Sequence, residues 1–423
     1  MKLLVKRSTL SGEVPIPGSK SATIRAVTIA ALAEGVSDII RPLDSADTRA
    51  CVEAYKALGA EIRLEGEVWR VRGVGGKPRT PEKPIDVANS GTTLYFVLGS
   101  AALAEGPVTI TGDEQTRRRP AGPLVAALND LGAHVEALGE NGCAPFVVRG
   151  KLQGGKTRIA CPTSQYLSSL LLNTPLAPQD TVIHVTELNE QPYVEMTLDW
   201  LNRQDIKYAH EAMARFEIAG GQSYEPYREI IPADFSSAAF FFGAAAITGS
   251  ELLLRGLDMN DAQGDKALVH ILRAMGAEVE VRPGCIRVKG GKLLGGEFDL
   301  NATPDLLPVM AVIGCFAQGE TRLVNVPQAR IKETDRIAVM RETLSCLGGK
   351  VEELPDGLII RHSPLRGGKV DGHGDHRVVM ALAVGALAAA RPTEISGAEV
   401  ISVTFPNFVE LMRQAGADMQ VLP

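Results

Sequence analysis

Residues 30–39 read AALAEGVSDI, and residues 101–110 read AALAEGPVTI. In both stretches an alanine-rich run ends at a glycine, Gly35 or Gly106, and a run with β-branched residues follows. A glycine after the last helical residue is a common C-terminal cap, because the backbone there needs a positive φ. β-branched residues favour strands. Each stretch therefore predicts a helix, a tight turn and a strand. Similar stretches are 244–254 (AAAITGSELLL) and 315–324 (CFAQGETRLV).

A second phrase marks the end of another helix in the same repeat. It recurs as LGAE, LGAH, MGAE, LGGK and AGAD, with its glycine at Gly59, Gly132, Gly276, Gly348 and Gly416. The intervals between these glycines are 73, 144, 72 and 68 residues. The long interval is twice 72, and a degenerate copy, 202–205, lies at its midpoint. The spacing therefore predicts six repeats of about 70 residues.

The repeat predicts an α/β fold of mixed helices and strands in two domains. Each copy is expected to run strand, helix, strand, helix, strand, strand (βαβαββ), which packs helices against sheets. Six copies are too large for one hydrophobic core, so we expect them to divide three and three near Pro232. The predicted N-terminal domain spans residues 15–232, and the C-terminal domain combines residues 1–14 with 233–423. We expect the segment 2–14 to complete a strand of the last repeat.

Composition and charge exclude several classes of protein. Hydrophobic residues make up 45% and charged residues 22%, which argues for a large core and against disorder. The net charge of −6 argues against a general nucleic-acid binder, because such proteins carry a basic excess. No apolar run reaches the ~20 residues of a membrane span, and the first residues lack the apolar run of a secretory signal. We therefore expect a cytoplasmic protein that binds neither nucleic acid nor membranes.

Cysteine and histidine spacing predicts no metal site. The six cysteines are widely scattered and lack the CxxC spacing of zinc and redox sites, which indicates free thiols. The only close histidine pair is His373 and His376, and no HExxH or cysteine pattern accompanies it.

Residues 150–157, GKLQGGKT, match the phosphate-loop pattern GxxxxGK[ST]. In a phosphate loop a helix follows the lysine, so that its amides and dipole meet the phosphates. Here residues 158–162 read RIACP, which predicts a strand. Because similar Gly/Lys-rich turns recur at 73–77, 290–296 and 367–369, we interpret the segment as a hairpin connector. A nucleotide-binding kinase is the alternative that the pattern alone allows.

Polar clusters lie at the starts of predicted helices or in loops of several repeats. Residues 17–25 (PGSKSATIR) combine helix-start amides with hydroxyls and two cations, which favours a phosphate or carboxylate site. Each cluster alone is also typical of a capped surface helix. The other clusters are 89–93 (NSGTT), 117–120 (RRRP), 162–166 (PTSQY), 191–193 (QPY), 304–305 (PD), 330–336 (RIKETDR) and 374–377 (GDHR).

The clusters are rich in cations although the chain is acidic. This predicts one or two small, highly anionic substrates held between the two halves. Asp305 and Glu333 supply carboxylates beside the cations, as general acid–base chemistry requires. The cations in question are Lys20, Arg25, Arg119, Lys332, Arg336 and Arg377.

In their order along the chain, these motifs resemble the 5-enolpyruvylshikimate-3-phosphate synthase family of enolpyruvyl transferases (3-phosphoshikimate 1-carboxyvinyltransferases). The resemblance runs from about Leu10 to Glu410, and its most specific elements are 332–336 (KETDR) and 375–377 (DHR). It implies two domains, each of three βαβαββ repeats, in the inside-out α/β barrel of that family. The glycine spacing gives the same number of repeats.

The resemblance implies a reaction in the shikimate pathway of aromatic amino acid and chorismate biosynthesis. The enolpyruvyl group of phosphoenolpyruvate moves to the 5-hydroxyl of shikimate 3-phosphate through a tetrahedral intermediate, and inorganic phosphate leaves. Cations fit this chemistry because both substrates are polyanions. The resemblance implies no cofactor and no metal, and we expect a monomer. It also implies that glyphosate occupies the phosphoenolpyruvate site.

The resemblance also assigns roles to residues. Lys20 is expected to touch both substrates, Asp305 to act as the base for the 5-hydroxyl, and Glu333 to transfer the proton at the methylene carbon. His376 lies beside the site and completes the expected catalytic set. The residues expected to bind shikimate 3-phosphate are Lys20, Ser21, Arg25, Thr163, Ser164, Gln165, Tyr193, Asp305 and Lys332. The residues expected to bind phosphoenolpyruvate are Lys20, Gly91, Arg119, Gln165, Arg336 and Arg377.

Three positions depart from the family pattern. Glu190 stands where many members have a serine that binds phosphate, so an acid replaces a phosphate ligand. Val403 stands where a lysine is common, which removes one cation for phosphoenolpyruvate. Leu94–Tyr95 stands where an arginine is common. These changes bear on the strength of binding more than on the reaction.

Two further functions compete with this interpretation. The sister enolpyruvyl transferase that acts on UDP-N-acetylglucosamine shares the six-repeat fold. It has a reactive cysteine in a first-domain loop and a GAKN motif, whereas here the loop 112–120 has no cysteine and residues 18–21 read GSKS. A non-enzymatic binding module is the other alternative, if Glu190 and Val403 mark a degenerate site. Turnover of shikimate 3-phosphate would separate it from an enzyme.

Overall fold

The computed structural model describes residues 1–423, and its helices and strands alternate as the repeat predicts. Up to the end of the third repeat the elements are β1 (Lys2–Lys6), β2 (Ser11–Pro15), α1 (Lys20–Leu32), β3 (Val36–Ile40), α2 (Ala46–Ala57), β4 (Glu61–Glu65), β5 (Val68–Arg72), β6 (Ile85–Asp86), α3 (Gly91–Ala101), β7 (Val108–Thr111), α4 (Gly122–Asp130), β8 (His134–Ala137), β9 (Phe146–Arg149), β10 (Gly155–Cys161), α5 (Ser164–Asn173), β11 (Thr181–Leu188), α6 (Gln191–Arg203), β12 (Tyr208–Glu211) and β13 (Arg215–Ile218).

The remaining elements follow the same alternation. They are β14 (Arg228–Ile230), α7 (Phe235–Thr248), β15 (Glu251–Arg255), α8 (Ala267–Met275), β16 (Glu278–Arg282), β17 (Cys285–Lys289), β18 (Glu297–Asp299), α9 (Leu307–Phe316), β19 (Glu320–Val324), α10 (Arg336–Cys346), β20 (Lys350–Leu354), β21 (Gly357–Arg361), β22 (Lys369–Asp371), α11 (His376–Ala386), β23 (Thr393–Ser396), α12 (Phe408–Gln414) and β24 (Asp418–Leu422).

The chain forms two compact units. The inserted unit is Lys20–Ile231, and the discontinuous unit combines Met1–Ser19 with Pro232–Pro423. Each unit holds three sheets of four strands. In every sheet two neighbouring strands are parallel and the other pairings are antiparallel, as in the order β6-β7-β9-β8. The predicted α/β fold of six βαβαββ repeats is confirmed.

Strands distant in sequence complete the sheets of the first, fourth and sixth repeats. β1 pairs antiparallel with both β23 and β24, so the N-terminal segment completes the last repeat as predicted. β2 instead pairs in parallel with β15 of the fourth repeat, with Ser11 opposite Glu251. β14 completes the first repeat by pairing in parallel with β3. The chain therefore supplies β2 to the discontinuous unit before it enters the inserted unit.

Helices form the centre of each unit, because their apolar residues cover every face. All residues of α3 are buried, as are residues 235–246 of α7. A helix that is apolar all round is stable only when it is enclosed. α3 packs on α5 in the inserted unit, and α9 packs on α7 and α11 in the discontinuous unit. The strands alternate instead, with Trp69 and Val71 of β5 buried between exposed arginines.

The glycines of the LGA-type phrase follow the capping prediction, whereas most glycines after the alanine-rich runs do not. All five glycines of the LGA-type phrase have φ between 95° and 107°, and Asp205 takes φ 52° in the degenerate copy. Gly35, Gly249 and Gly319 also have positive φ, whereas Gly106 does not. Only Gly249 directly follows its helix, α7. The capping prediction is wrong at Gly35, Gly106 and Gly319, because the preceding helices end three to five residues earlier.

The phosphate-loop pattern lies in the connector between β9 and β10. Gly154 and Gly155 have positive φ, and the chain continues from Gly155 as a strand through Cys161. No helix begins directly after Lys156, so the segment is not a phosphate loop and the kinase alternative is wrong. The hairpin interpretation is also wrong, because β9 and β10 belong to different sheets and the segment joins the second repeat to the third. None of the helices combines the length and apolar character that crossing a membrane requires.

Candidate active site

Lys20 opens α1 and forms an ion pair with a residue that the sequence analysis missed. Its Nζ lies 3.4 Å from Oδ2 of Asp47, and both side chains are largely buried. Asp47 lies in the first turn of α2, where the capping box of Ser45 and Thr48 fixes the helix start. The signal was present as Ser-Ala-Asp-Thr at residues 45–48, an acid in the first turn of a helix.

Arg25 lies inside the inserted unit with 1% of its surface exposed. Its guanidinium donates to the Tyr193 carbonyl at 2.7 Å, to Thr197 Oγ1 at 2.9 Å and to the Ser21 carbonyl at 3.0 Å. Burial lowers the pKa of Arg25 to about 10, so the side chain is charged at neutral pH. The structure thus brings three of the predicted residues, Ser21, Arg25 and Tyr193, into one network that joins α1 to α6.

The start of α5 holds Thr163, Ser164 and Gln165, and Glu190 binds to it. A carboxylate oxygen of Glu190 accepts from Ser164 Oγ at 2.7 Å, and from Ser164 N and Thr163 Oγ1 at 3.1 Å each. Gln165 donates to Thr163 Oγ1 at 3.0 Å. Glu190 is 1% exposed and has φ 59°, a left-handed conformation that turns the chain into α6. The acid that departs from the family pattern therefore occupies the donors assigned to the substrate.

Gly91 and Arg119 are immediate neighbours. Gly91 is the first residue of α3, and a Cβ placed on it would lie 1.9 Å from Nη1 of Arg119. Arg119 is 6% exposed, whereas Arg117 and Arg118 are exposed and bond to Thr111 and Glu114. Of the three consecutive arginines, only Arg119 is directed to the start of α3.

The discontinuous unit brings together four predicted residues, Asp305, Glu333, Arg336 and Arg377. Arg336 has under 1% exposure and donates to Asp305 at 2.8 Å, Glu333 at 2.6 Å and Asp375 at 2.8 Å. Burial alone would lower the pKa of Arg336, but the carboxylates of Asp375, Glu333 and Asp305 raise it well above its ordinary value. Arg377 contacts the second oxygen of Asp305 at 2.8 Å. Asp305 therefore lies between two guanidinium groups.

Asp375 organises the start of α11. Its Oδ1 accepts from the backbone N–H of Arg377 at 2.8 Å, while Oδ2 accepts from Arg336. His376 follows it and is buried, and burial lowers the pKa of this imidazole to about 4. His376 is therefore neutral at pH 7. Lys332 is partly buried and directly precedes Glu333 in the chain.

The sequence analysis also missed a buried acid in the discontinuous unit, Asp265. It is 2% exposed, and Ser236 donates a hydrogen bond to its Oδ2. Burial and the negative charge of Asp305 raise the pKa of Asp265 to about 7. The only sequence signal was a carboxylate just before the apolar α8.

No group of three or more His, Cys, Asp or Glu side chains is arranged to hold a metal ion. Val403 ends a 3-10 helix that spans Ala398–Val403, and it is half-buried. It adds no charge at the position where a lysine is common in the family.

Comparisons with known proteins identify the family of the chain. The family profile described as EPSP synthase (3-phosphoshikimate 1-carboxyvinyltransferase) matches residues 4–412. A 3-phosphoshikimate 1-carboxyvinyltransferase of Acetivibrio thermocellus is 55% identical over 419 residues, covering 99% of both chains. One of Ruminiclostridium cellulolyticum is 50% identical over 422 residues, covering 100% of both. The solved EPSP synthase of Acinetobacter baumannii superposes with a TM-score of 0.83 at 26% identity, covering 99% of this chain and 100% of the other. The chain therefore belongs to the EPSP synthase (3-phosphoshikimate 1-carboxyvinyltransferase) family.

Proposed function

We propose that the chain transfers the enolpyruvyl group of phosphoenolpyruvate to the 5-hydroxyl of shikimate 3-phosphate and releases inorganic phosphate. The observation that carries the proposal is the family match, which extends over residues 4–412. The cluster of Asp305, Glu333, Arg336 and Arg377 supports it, because it joins carboxylates for proton transfer to cations for polyanionic substrates. The reaction belongs to aromatic amino acid biosynthesis.

The reaction needs proton transfer at two atoms. The 5-hydroxyl oxygen bonds to C2 of phosphoenolpyruvate while the hydroxyl loses its proton and the methylene carbon, C3, gains one. The resulting tetrahedral intermediate then loses a proton from C3 as the bond between C2 and the phosphate oxygen breaks. One base at the hydroxyl and one acid–base group at C3 are therefore sufficient.

We assign the base at the 5-hydroxyl to Asp305. In this structure Arg336 and Arg377 each donate to one of its oxygens. Anionic oxygens of phosphoenolpyruvate are equally good acceptors for guanidinium groups. Their arrival would exchange these contacts and leave an oxygen of Asp305 able to accept the hydroxyl proton.

We assign the proton transfer at C3 to Glu333. Its contact with Nη2 of Arg336, at 2.6 Å, orients the carboxylate beside a proposed phosphoenolpyruvate ligand. His376 adds no charge to this cluster at neutral pH, because burial lowers its pKa to about 4. It therefore serves as a neutral polar neighbour of Glu333.

The remaining substrate contacts are assigned by residue. Arg25 acts mainly through Ser21 and Tyr193, since its guanidinium bonds to their carbonyls. Shikimate 3-phosphate is bound by Lys20, Ser21, Arg25, Thr163, Ser164, Gln165, Tyr193, Asp305 and Lys332. Phosphoenolpyruvate is bound by Lys20, Gly91, Arg119, Gln165, Arg336 and Arg377. We further propose a cytoplasmic monomer that does not bind nucleic acid, in keeping with the net charge of −6.

Phosphate release by the purified protein tests the proposal. With both substrates present, phosphate should accumulate, and omission of either substrate should abolish it. Arg336→Lys should lower kcat/KM at least 100-fold, an order typical of a lost transition-state contact. Arg322→Lys is the matched control, because Arg322 lies on β19 of the same repeat and pairs at the surface with Glu297. Phosphate release that does not depend on shikimate 3-phosphate would contradict the proposal.

A further inference from the structure

Two tyrosines from different helices bind one backbone carbonyl. The hydroxyl of Tyr95, on α3, donates to the Pro120 carbonyl at 3.1 Å. The hydroxyl of Tyr166, on α5, donates to the same oxygen at 2.5 Å. The rings meet edge to face, with centroids 5.0 Å apart and planes at 81°. We call these three residues the tyrosine clamp.

Both hydroxyls are fixed donors. Tyr95 is 3% exposed and Tyr166 is 1% exposed. Burial raises the pKa of Tyr95 to about 12, and it also raises the pKa of Tyr166. Both groups therefore keep their protons over the working range of pH. The carbonyl of Tyr95 accepts from Ser169 Oγ at 2.6 Å, which ties α3 to α5 at this point.

The clamp acts on the residue next to Arg119. Pro120 has no N–H, so its carbonyl is the only backbone group through which neighbours can bind it. The guanidinium of Arg119 lies so close to Gly91 that a Cβ on Gly91 would be 1.9 Å from Nη1. The helix that carries Tyr95 is also the one that begins at Gly91. One helix, α3, thus lies against both the carbonyl after Arg119 and the guanidinium of Arg119.

We propose that Tyr95 and Tyr166 are positioning residues that hold Arg119 for phosphoenolpyruvate through the Pro120 carbonyl. The inference rests on the proposed function, which assigns Arg119 to that substrate. Without the two hydroxyls, the Pro120 carbonyl loses both of its side-chain donors, while the rest of the segment 112–121 keeps its other bonds, such as Ala121 N to the Gly142 carbonyl at 3.3 Å. An arginine displaced by a fraction of an ångström binds its anion less well.

Tyr95→Phe and Tyr166→Phe test the proposal, because each removes one hydroxyl and keeps the ring. We expect each variant to raise KM for phosphoenolpyruvate about three- to tenfold, the size of one hydrogen bond, and the double variant to raise it further. KM for shikimate 3-phosphate and kcat should change less than twofold. Tyr208→Phe is the control, since Tyr208 bonds to Asn202 at the surface of the same unit.

A double-mutant cycle with Arg119→Lys shows whether the clamp acts through Arg119. In that background the tyrosine changes should raise KM for phosphoenolpyruvate by less than twofold, because the group they position is already altered. Full additivity, or an equal rise in KM for shikimate 3-phosphate, would overturn the proposal.

Amide hydrogen exchange separates this proposal from the proposed function. Exchange in residues 112–121 should quicken in the double tyrosine variant and stay unchanged in Tyr208→Phe. If the wild type releases no phosphate, the proposed function fails. Hydrogen exchange alone then decides whether the two tyrosines hold the segment 112–121. Unchanged exchange would then overturn the clamp, and faster exchange would support it.

Discussion

At the scale of single residues, the contacts of Glu190 explain how an acid is accommodated beside residues proposed to bind shikimate 3-phosphate. Its carboxylate accepts from both hydroxyls and from one amide at the start of α5, the donors that a phosphate would use. The left-handed φ of 59° directs the side chain there. A phosphate that binds these donors must first displace a charged acceptor.

Glu190→Gln should therefore tighten the binding of shikimate 3-phosphate. The amide keeps the shape of the side chain but is a weaker acceptor and carries no charge to repel a phosphate. We expect Kd, measured by calorimetry, to fall about three- to tenfold. Glu195→Gln is the control, because Glu195 bonds to Gln191 on the same helix. Weaker binding by Glu190→Gln would show that the acid supports the site.

Gly91→Ala should weaken the binding of both phosphoenolpyruvate and glyphosate, and the effect on glyphosate should be larger. The new Cβ would overlap Nη1 of Arg119, so the guanidinium must move. Glyphosate, which we expect in the same site, is longer than phosphoenolpyruvate and should tolerate the lost space less well. The measurement is the inhibition constant against phosphoenolpyruvate in both forms. A wild type that is insensitive to inhibitor at millimolar concentration, or a variant that is no less inhibited, would contradict the role of Gly91.

At the scale of elements, the recurring LGA-type phrases predicted the fold because each marks a place where the backbone needs a positive φ. A left-handed residue ends the second helix of each repeat, and five glycines and Asp205 satisfy it. Gly35, Gly106 and Gly319 do not cap their helices, which end three to five residues earlier. The parallel strand pairs completed by β2 and β14 could not be read from the phrases, since their partners lie about 190 to 240 residues away.

Gly276→Ala should destabilise the chain through this turn. Gly276 has φ 103°, and a Cβ there would lie 2.8 Å from the Lys292 carbonyl oxygen. We expect a loss of about 1–3 kcal/mol, seen as a fall of Tm by several degrees. Gly122→Ala is the control, because Gly122 has an ordinary φ and no atom within 4 Å of the new methyl group. An equal Tm for the two variants would contradict the turn argument.

At the scale of the whole molecule, the site was predicted in part. Motifs and resemblance pointed to Asp305, Glu333, Arg336 and Arg377, and the structure brings these four together. The partners Asp47 and Asp265 were missed, because each lies more than 25 residues from the residue it influences. Local patterns carry no information on such contacts, which depend on how the repeats pack.

The buried Asp265 should make stability depend on pH. Its folded pKa is raised to about 7 from 3.8, so between about pH 4 and pH 7 the folded state binds more protons than the unfolded state. The stability that Asp265 contributes is therefore fully present at low pH and is lost as pH rises through 7. The free energy of unfolding falls by at most about 1.4 kcal/mol per pH unit. Asp265→Asn should gain stability relative to wild type as pH rises from 4 to 7, as denaturant unfolding would show. A pH-independent difference would contradict the raised pKa.

The measurement that tests the central claim most directly is phosphorus NMR of the purified protein with phosphoenolpyruvate and shikimate 3-phosphate, in the presence of EDTA. We predict that inorganic phosphate appears as phosphoenolpyruvate disappears, in equal amounts. The phosphate ester of shikimate 3-phosphate should shift but persist, because only the enolpyruvyl group is transferred. Loss of that ester, release of phosphate from phosphoenolpyruvate alone, or activity that EDTA abolishes and Mg²⁺ restores would contradict the account.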